Sequence, residues 1–289
     1  MNVQSTPPDA NIVILAGGIS SRMKKHAEIA GGVDPSLIHD AGPISKAMIG
    51  VGENRRPFLD YLLSHVEQAG YKNVVVIVGE QDDSIPRYYG NGAGRFHSLV
   101  LSYVVQSIPA GRKKPLGTAD ALSTALRAMT AWKGRKCTVC NSDNLYSVKA
   151  LRVLLEDTHD NAMIDFDRSA LRFDQERIMQ FAVIKKTADG YVDTIIEKPP
   201  HDVMMLAADA AGRIGVSMNI FRLSIDQIFP FLERVPLHPL RQEQELPVAV
   251  TLMIDRYPKS VFAIPLSEHV LDLTVQADIA VVMEYLASR

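Results

Sequence analysis

The sequence predicts an α/β fold: a mostly parallel central sheet flanked by helices, with an added mixed or antiparallel layer. Three observations carry this expectation. Apolar runs of strand length alternate with helical spacings through the first half, the pattern of parallel strands joined by crossover helices. The opening run, Ile12 to Leu15, breaks into Ala16-Gly17-Gly18, the order of a buried strand feeding a tight loop. The second half consists of short strand-like runs separated by Asp-, Gly- and Pro-bearing turns.

The elements follow in order. After the first strand comes a long irregular stretch, Lys24 to Arg56, containing Lys24-Lys25-His26; a loop of that length in a compact domain suggests function. A helix is expected from Pro57, with Leu59, Leu62, Leu63 and Val66 on one face and Gly70 as its stop. Val74 to Val78 and Val100 to Val105 read as the second and third strands, and Thr118 to Met129 as a helix capped by Thr118. The fourth strand, Lys136 to Cys140, runs into Asn141-Ser142-Asp143-Asn144. Further strands are expected at Ala162 to Phe166, Phe181 to Lys185, Val192 to Glu197, Ile214 to Phe221 and Val261 to Ile264. Helices are expected at Ile225 to Arg234, Leu246 to Arg256 and Val275 to Leu286. No repeat or Pro/Ser-rich linker divides the chain, so one domain over 1–289 is expected, with a nucleotide half at about 11–150 and a second-substrate half at about 151–289.

With 289 residues, 47% of them hydrophobic, the chain can bury a sizeable core, and a net charge of −2 gives no reason to expect a nucleic-acid or membrane partner. Cys137 and Cys140 form a C-x-x-C pair, but three residues apart in a strand they point to opposite faces, so buried thiols are expected rather than a redox or metal site. No apolar run is long enough to span a bilayer and the first residues lack a secretion-signal pattern, which makes the cytoplasm the expected location. A homo-oligomer is allowed by the sequence and not read from it.

Chemistry-bearing residues concentrate at expected strand ends. In open α/β sheets ligands collect at the carboxyl ends of strands, which places the glycine loop and the Asp143 turn on one edge. Gly17 and Gly18 leave no side chain between backbone N–H groups and a polyphosphate, and Arg22 adds a permanent cation with a planar fork of donors. Asp143 is the best metal candidate, a carboxylate at the active edge suited to a hard cation such as Mg²⁺. Gln106 offers an amide, and Gly117 a bare backbone, for a nucleobase; Gln106 in a solvated loop is an equal reading.

These residues lie within a series of motifs: LAGGISSRM, PISKAM with Lys46, PFLDYLL, GTADAL from Gly117 to Leu122, NSDN with Asp143, and IIEKPP with Glu197 and Lys198. In that order the chain resembles the sugar-phosphate nucleotidyltransferases, from residue 11 to about 275. The resemblance implies a Rossmann-like sheet and transfer of a nucleoside monophosphate from a nucleoside triphosphate to a sugar 1-phosphate, with release of pyrophosphate and use of Mg²⁺. It further implies that Arg22, Lys46 and Asp143 are catalytic, and that Leu15, Ala16, Gly17, Gly18, Gln106, Gly117 and Thr118 bind the nucleotide. By the same resemblance Asn144, Glu197, Lys198 and Asn219 bind the sugar phosphate, and Asp272 joins Asp143 at the metal. The chain departs from the family pattern at Ser20, in the long Arg22-to-Lys46 interval, and at Leu273-Thr274 beside Asp272. A cytidylyl- or guanylyltransferase acting on a non-sugar phosphate remains an alternative, as does a catalytically silent nucleotide-binding regulator. A dinucleotide oxidoreductase is disfavoured because GGISSR lacks the third glycine of its fingerprint.

Overall fold

The computed structural model describes residues 9–18, 45–92, 94–275 and 277–287. Strand β1 (Asn11–Leu15) sends Ile12 and Ile14 into one apolar cluster and Val13 into another, so both of its faces need cover. It pairs in parallel with β4 (Asn73–Gly79) on one side and β6 (Lys136–Asn141) on the other, and β5 (Val100–Gln106) continues the parallel set beyond β4. These are the four strands that the apolar runs predict.

Helix α1 (Phe58–Ala69) buries Leu59, Leu62, Leu63 and Val66 and ends at Gly70. Pro57 precedes its first turn rather than starting it, because Pro57 pairs in a small hairpin of β2 (Gly50–Val51) with β3 (Arg56–Pro57). The described part of the long irregular stretch therefore carries this hairpin and a helical turn at Lys46–Met48. Helices α2 (Ser84–Tyr89) and α4 (Val148–Glu156) were not expected. The first has only six residues and holds Pro86, but the second carried a legible signal: Ser147 Oγ accepts from Ala150 N at 3.0 Å, and Leu151, Leu154 and Leu155 follow at helical spacing. α1 and α4 cover one face of the sheet. The other is covered by α3 (Thr118–Ala128), α7 (Ile225–Leu232) and α8 (Leu246–Arg256).

In the second half, β12 (Ile220–Ser224) runs antiparallel between β6 and β8 (Asn161–Asp167). β11 (Gly215–Ser217), β9 (Ala182–Lys186) and β10 (Val192–Ile196) add antiparallel strands, and β13 (Val261–Leu266) lies parallel to β8. Among the described residues the order is β10-β9-β11-β8-β12-β6-β1-β4-β5, with β13 on β8, so the mixed portion extends the same sheet. The expected strand from Ile214 to Phe221 is broken at Met218-Asn219. Asn219 takes φ 54°, a left-handed conformation that asparagine tolerates, and the break lets β11 join β9 while β12 joins β6.

Two smaller elements bear on the site: α5 (Gln175–Ile178) and a ladder of β7 (Asn144–Leu145) with β14 (Leu271–Asp272), which is followed by α9 (Ala277–Ala287); the short α6 (His201–Met205) follows β10. Cys137 and Cys140 are buried, unbonded, and on opposite faces, as the strand period requires. Among the described residues no helix is long and apolar enough to cross a membrane.

Candidate active site

A cavity of about 710 Å³ opens at the carboxyl ends of β1, β5 and β6, the edge on which the sequence concentrates its polar turns. Leu15, Ala16, Gly17 and Gly18 form one wall and Asn141 to Asn144 the adjoining one; Ser142 N donates to Leu15 O at 3.1 Å and ties them together. A Cβ on Gly17 would stand 3.2 Å from Gln106 Oε1, whereas one on Gly18 would meet nothing within 4 Å among the described residues. A Cβ at the first glycine would thus crowd the Gln106 amide by a few tenths of an ångström, while the second leaves room among the described residues. Arg22, the expected catalytic cation, lies outside the described residues.

Lys46 and Asp143 come together although 97 residues separate them, with Nζ 3.4 Å from Asp143 Oδ2. Local structure prepares this contact. Ser45 caps the Lys46–Met48 turn, its N donating to Asp82 Oδ2 at 2.7 Å and its Oγ to Ala16 O at 3.3 Å, which anchors Lys46 beside β1. Asp272 arrives through the β7–β14 ladder, opposite Asn144, while Leu273 N donates to Asp143 O at 2.8 Å. The expected pair of carboxylates therefore shares one wall of the cavity. Burial pushes the Asp272 carboxyl up from its ordinary range and the Asp143 charge pushes it further, against hydrogen bonds from Thr274 Oγ1 at 2.6 Å and Arg177 Nη2 at 2.7 Å. Arg177 also grips Asp278, whose Oδ2 accepts from Thr274 N and Val275 N, both at 2.7 Å. Arg177 and Asp278 escaped the sequence reading because each looks like an ordinary surface charge until α5 and α9 meet.

On the opposite side Gln106 is buried, not solvated. Its Nε2 donates to Gly117 O at 2.9 Å and to Asp120 Oδ2 at 2.7 Å. Gly117 has φ 111°, and a Cβ there would lie 2.6 Å from Gln244 O. Thr118 does not cap its own helix. Gly117 occupies the cap position of α3, and Thr118 Oγ1 instead accepts from Leu246 N at 2.9 Å, capping the start of α8.

The acceptor side gathers Glu197, Asn219 and Asn144 in the cavity wall but not Lys198. Lys198 follows the end of β10 with φ 44° and stands exposed, so the turn before Pro199 carries it away from the lining. Asn144 is buried and its Oδ1 accepts from Tyr146 Oη at 3.3 Å. Glu197 is pushed up from the ordinary carboxylate range by desolvation and then by Glu245, with Arg241 and Lys198 opposing. Two cations in the wall were missed, Lys114 and Arg241. Arg241 Nη2 lies 2.7 Å from Glu245 Oε1. Both come from irregular segments with no periodicity, brought to the cavity because the 243–245 stretch pairs with the Leu116-to-Ala119 backbone; Ala119 N donates to Gln244 O at 3.0 Å.

Comparison with known proteins places the chain in a family and finds its fold in solved structures. The family described as nucleotidyl transferase matches residues 42–221, more than half of the chain. The D-glycero-alpha-D-manno-heptose 1-phosphate guanylyltransferase of Aneurinibacillus thermoaerophilus is 27% identical over 144 residues, 50% of each chain. The bifunctional protein GlmU of Staphylococcus saprophyticus is 23% identical over 244 residues, 84% of this chain and 45% of that one. The chain spans about half the length of the curated relatives it matches. A crystal structure of a UDP-glucose pyrophosphorylase complexed with UDP-glucose superposes with a TM-score of 0.66 at 15% identity, covering 96% of this chain and 99% of that one, a likeness of fold.

Proposed function

Because the chain belongs to the nucleotidyl transferase family, we propose that it moves a nucleoside monophosphate from a nucleoside triphosphate to a sugar 1-phosphate, releasing pyrophosphate, with Mg²⁺ held by Asp143 and Asp272. The observation that carries this reading is the meeting of Lys46, Asp143 and Asp272 in one cavity with the Gly17-Gly18 backbone on one side and Glu197 on the other.

An oxygen of the acceptor phosphate attacks the α-phosphorus, a new P–O bond forms, and the bond to the bridging oxygen breaks so that pyrophosphate leaves with its electron pair. Two anions must approach, so catalysis rests on positioning and charge neutralisation. Backbone N–H groups at Gly17 and Gly18 hold the leaving phosphates, and Lys46 neutralises charge beside the α-phosphate. Arg22 completes this set on the sequence alone. Glu197 and Asn219 bind sugar hydroxyls. Arg241 takes the acceptor phosphate in place of the role expected of Lys198, because it lines the cavity.

The donor set suits the metal. Two carboxylates, Asp143 and Asp272, near enough for the charge of one to raise the other, match an ion that takes one or two carboxylates and fills its remaining positions with water and phosphate. Held by Asp143 and Asp272, Mg²⁺ would supply positive charge to the phosphate oxygens.

Pyrophosphate release measured across four triphosphates and a set of sugar 1-phosphates tests the reading. Release only with a matched pair is expected. Tight triphosphate binding with no release from any pair would overturn the transferase reading in favour of a silent nucleotide-binding protein.

A further inference from the structure

The Gln106 side chain has a fixed polarity. Its Nε2 sits between two oxygen acceptors, Gly117 O at 2.9 Å and Asp120 Oδ2 at 2.7 Å. Carbonyl and carboxylate oxygens can only accept, so the amine end must face them and the opposite orientation would set three lone-pair-bearing oxygens against one another. Oε1 is consequently the end turned toward Gly17 and the cavity, where a Cβ at position 17 would crowd it at 3.2 Å. Gln106 is 3% exposed, and among the described residues Oε1 accepts no hydrogen bond. Beside it, the Gly117 and Thr118 N–H groups at the start of α3 donate to no oxygen among the described residues. The cavity thus offers an acceptor beside donors, with no partner for either among the described residues.

Resting on the nucleotidyl transferase reading, we propose that Asp120 is a positioning residue for nucleobase choice: by holding the Gln106 amide with its oxygen outward, it selects bases whose pairing edge presents a ring N–H beside a carbonyl. Uracil, thymine and guanine have that edge. Adenine and cytosine, seated the same way, set a ring lone pair against Oε1 and an amine against the backbone N–H groups. Asp120 itself is outside the cavity lining, so it acts through Gln106 and not by contact with the base.

The charge on Asp120 is what makes the orientation costly to reverse. In Asp120→Asn the new amide can turn and donate to Gln106 Oε1, so a flipped Gln106 keeps a partner at position 120 and is opposed only by the Gly117 carbonyl. The experiment compares kcat/KM for UTP, dTTP, GTP, CTP and ATP in wild type, Asp120→Asn and Gln106→Ala, with Tm measured alongside. In the wild type, the preferred triphosphate is expected among UTP, dTTP and GTP. Asp120→Asn is expected to cut its advantage over CTP and ATP by about tenfold, the scale of one charge-assisted hydrogen bond, with a small change in Tm. A role in helix stability alone would move Tm and leave the ratios unchanged. If Gln106→Ala alters the ratios and Asp120→Asn does not, or if the wild type prefers CTP or ATP, the inference fails while the base site survives. Should neither variant alter the ratios, Gln106 is not at the base and the assignment of this wall to the nucleotide fails with the inference.

Discussion

Lys46 Nζ stands 3.4 Å from Asp143 Oδ2, joining the Lys46–Met48 turn to the carboxyl end of β6. The pair is partly buried, so each charge is screened less than at an open surface. Lys46→Met is expected to lower kcat by about a hundredfold or more while triphosphate binding weakens less, since the cation acts mainly on charge that develops in the transition state. Steady-state kinetics with equilibrium binding of the triphosphate checks this, and an unchanged kcat would remove Lys46 from the chemistry.

Asp143→Asn should abolish most turnover, by about a hundredfold or more, and leave the circular-dichroism spectrum of the native protein intact. Calorimetric titration of Mg²⁺ in the presence of triphosphate should show weaker binding in the same variant. Full activity would end the metal assignment.

On the acceptor side Arg241 and Lys198 separate two readings. Arg241→Ala is expected to raise the acceptor KM by about tenfold or more, the loss of one charge-assisted contact, and Lys198→Ala by much less. The reverse order would show that Lys198 swings into the cavity and that the resemblance was the better guide to its role.

Gly117 and Gly18 make opposite demands. Gly117→Ala places a Cβ 2.6 Å from Gln244 O in a left-handed conformation, and is expected to destabilise the fold by about 1–3 kcal/mol. Gly18→Ala meets no atom within 4 Å among the described residues and should leave stability within about 0.5 kcal/mol. Urea unfolding of both variants provides the comparison.

Glu197 gives a pH test. Its folded-state pKa is raised by desolvation and by Glu245, so its ionised form opposes folding above that pKa, and the cost disappears below the ordinary carboxylate range. Glu197 stands exposed, so water screens most of this cost; Glu197→Gln should raise Tm only slightly at neutral pH, and the gain should shrink as pH falls through the folded-state pKa. A gain that grows on acidification would contradict the sign.

The sequence by itself determined the layered architecture and the edge where chemistry collects. Apolar runs such as Ile12 to Leu15 and Val74 to Val78 need cover on both faces, and a strand that ends in Gly17-Gly18 or Asn141-Ser142-Asp143 can only present those residues at its tip. Periodicity carries that information because it is local. The meeting of Lys46 with Asp143, the capture of Asp272 by Arg177, the orientation of Gln106 by Asp120 and the exclusion of Lys198 from the wall depended on tertiary structure. Each joins segments far apart in the chain, or turns on a single backbone angle such as φ 44° at Lys198, and no local pattern of residue types encodes which distant charge a side chain will find.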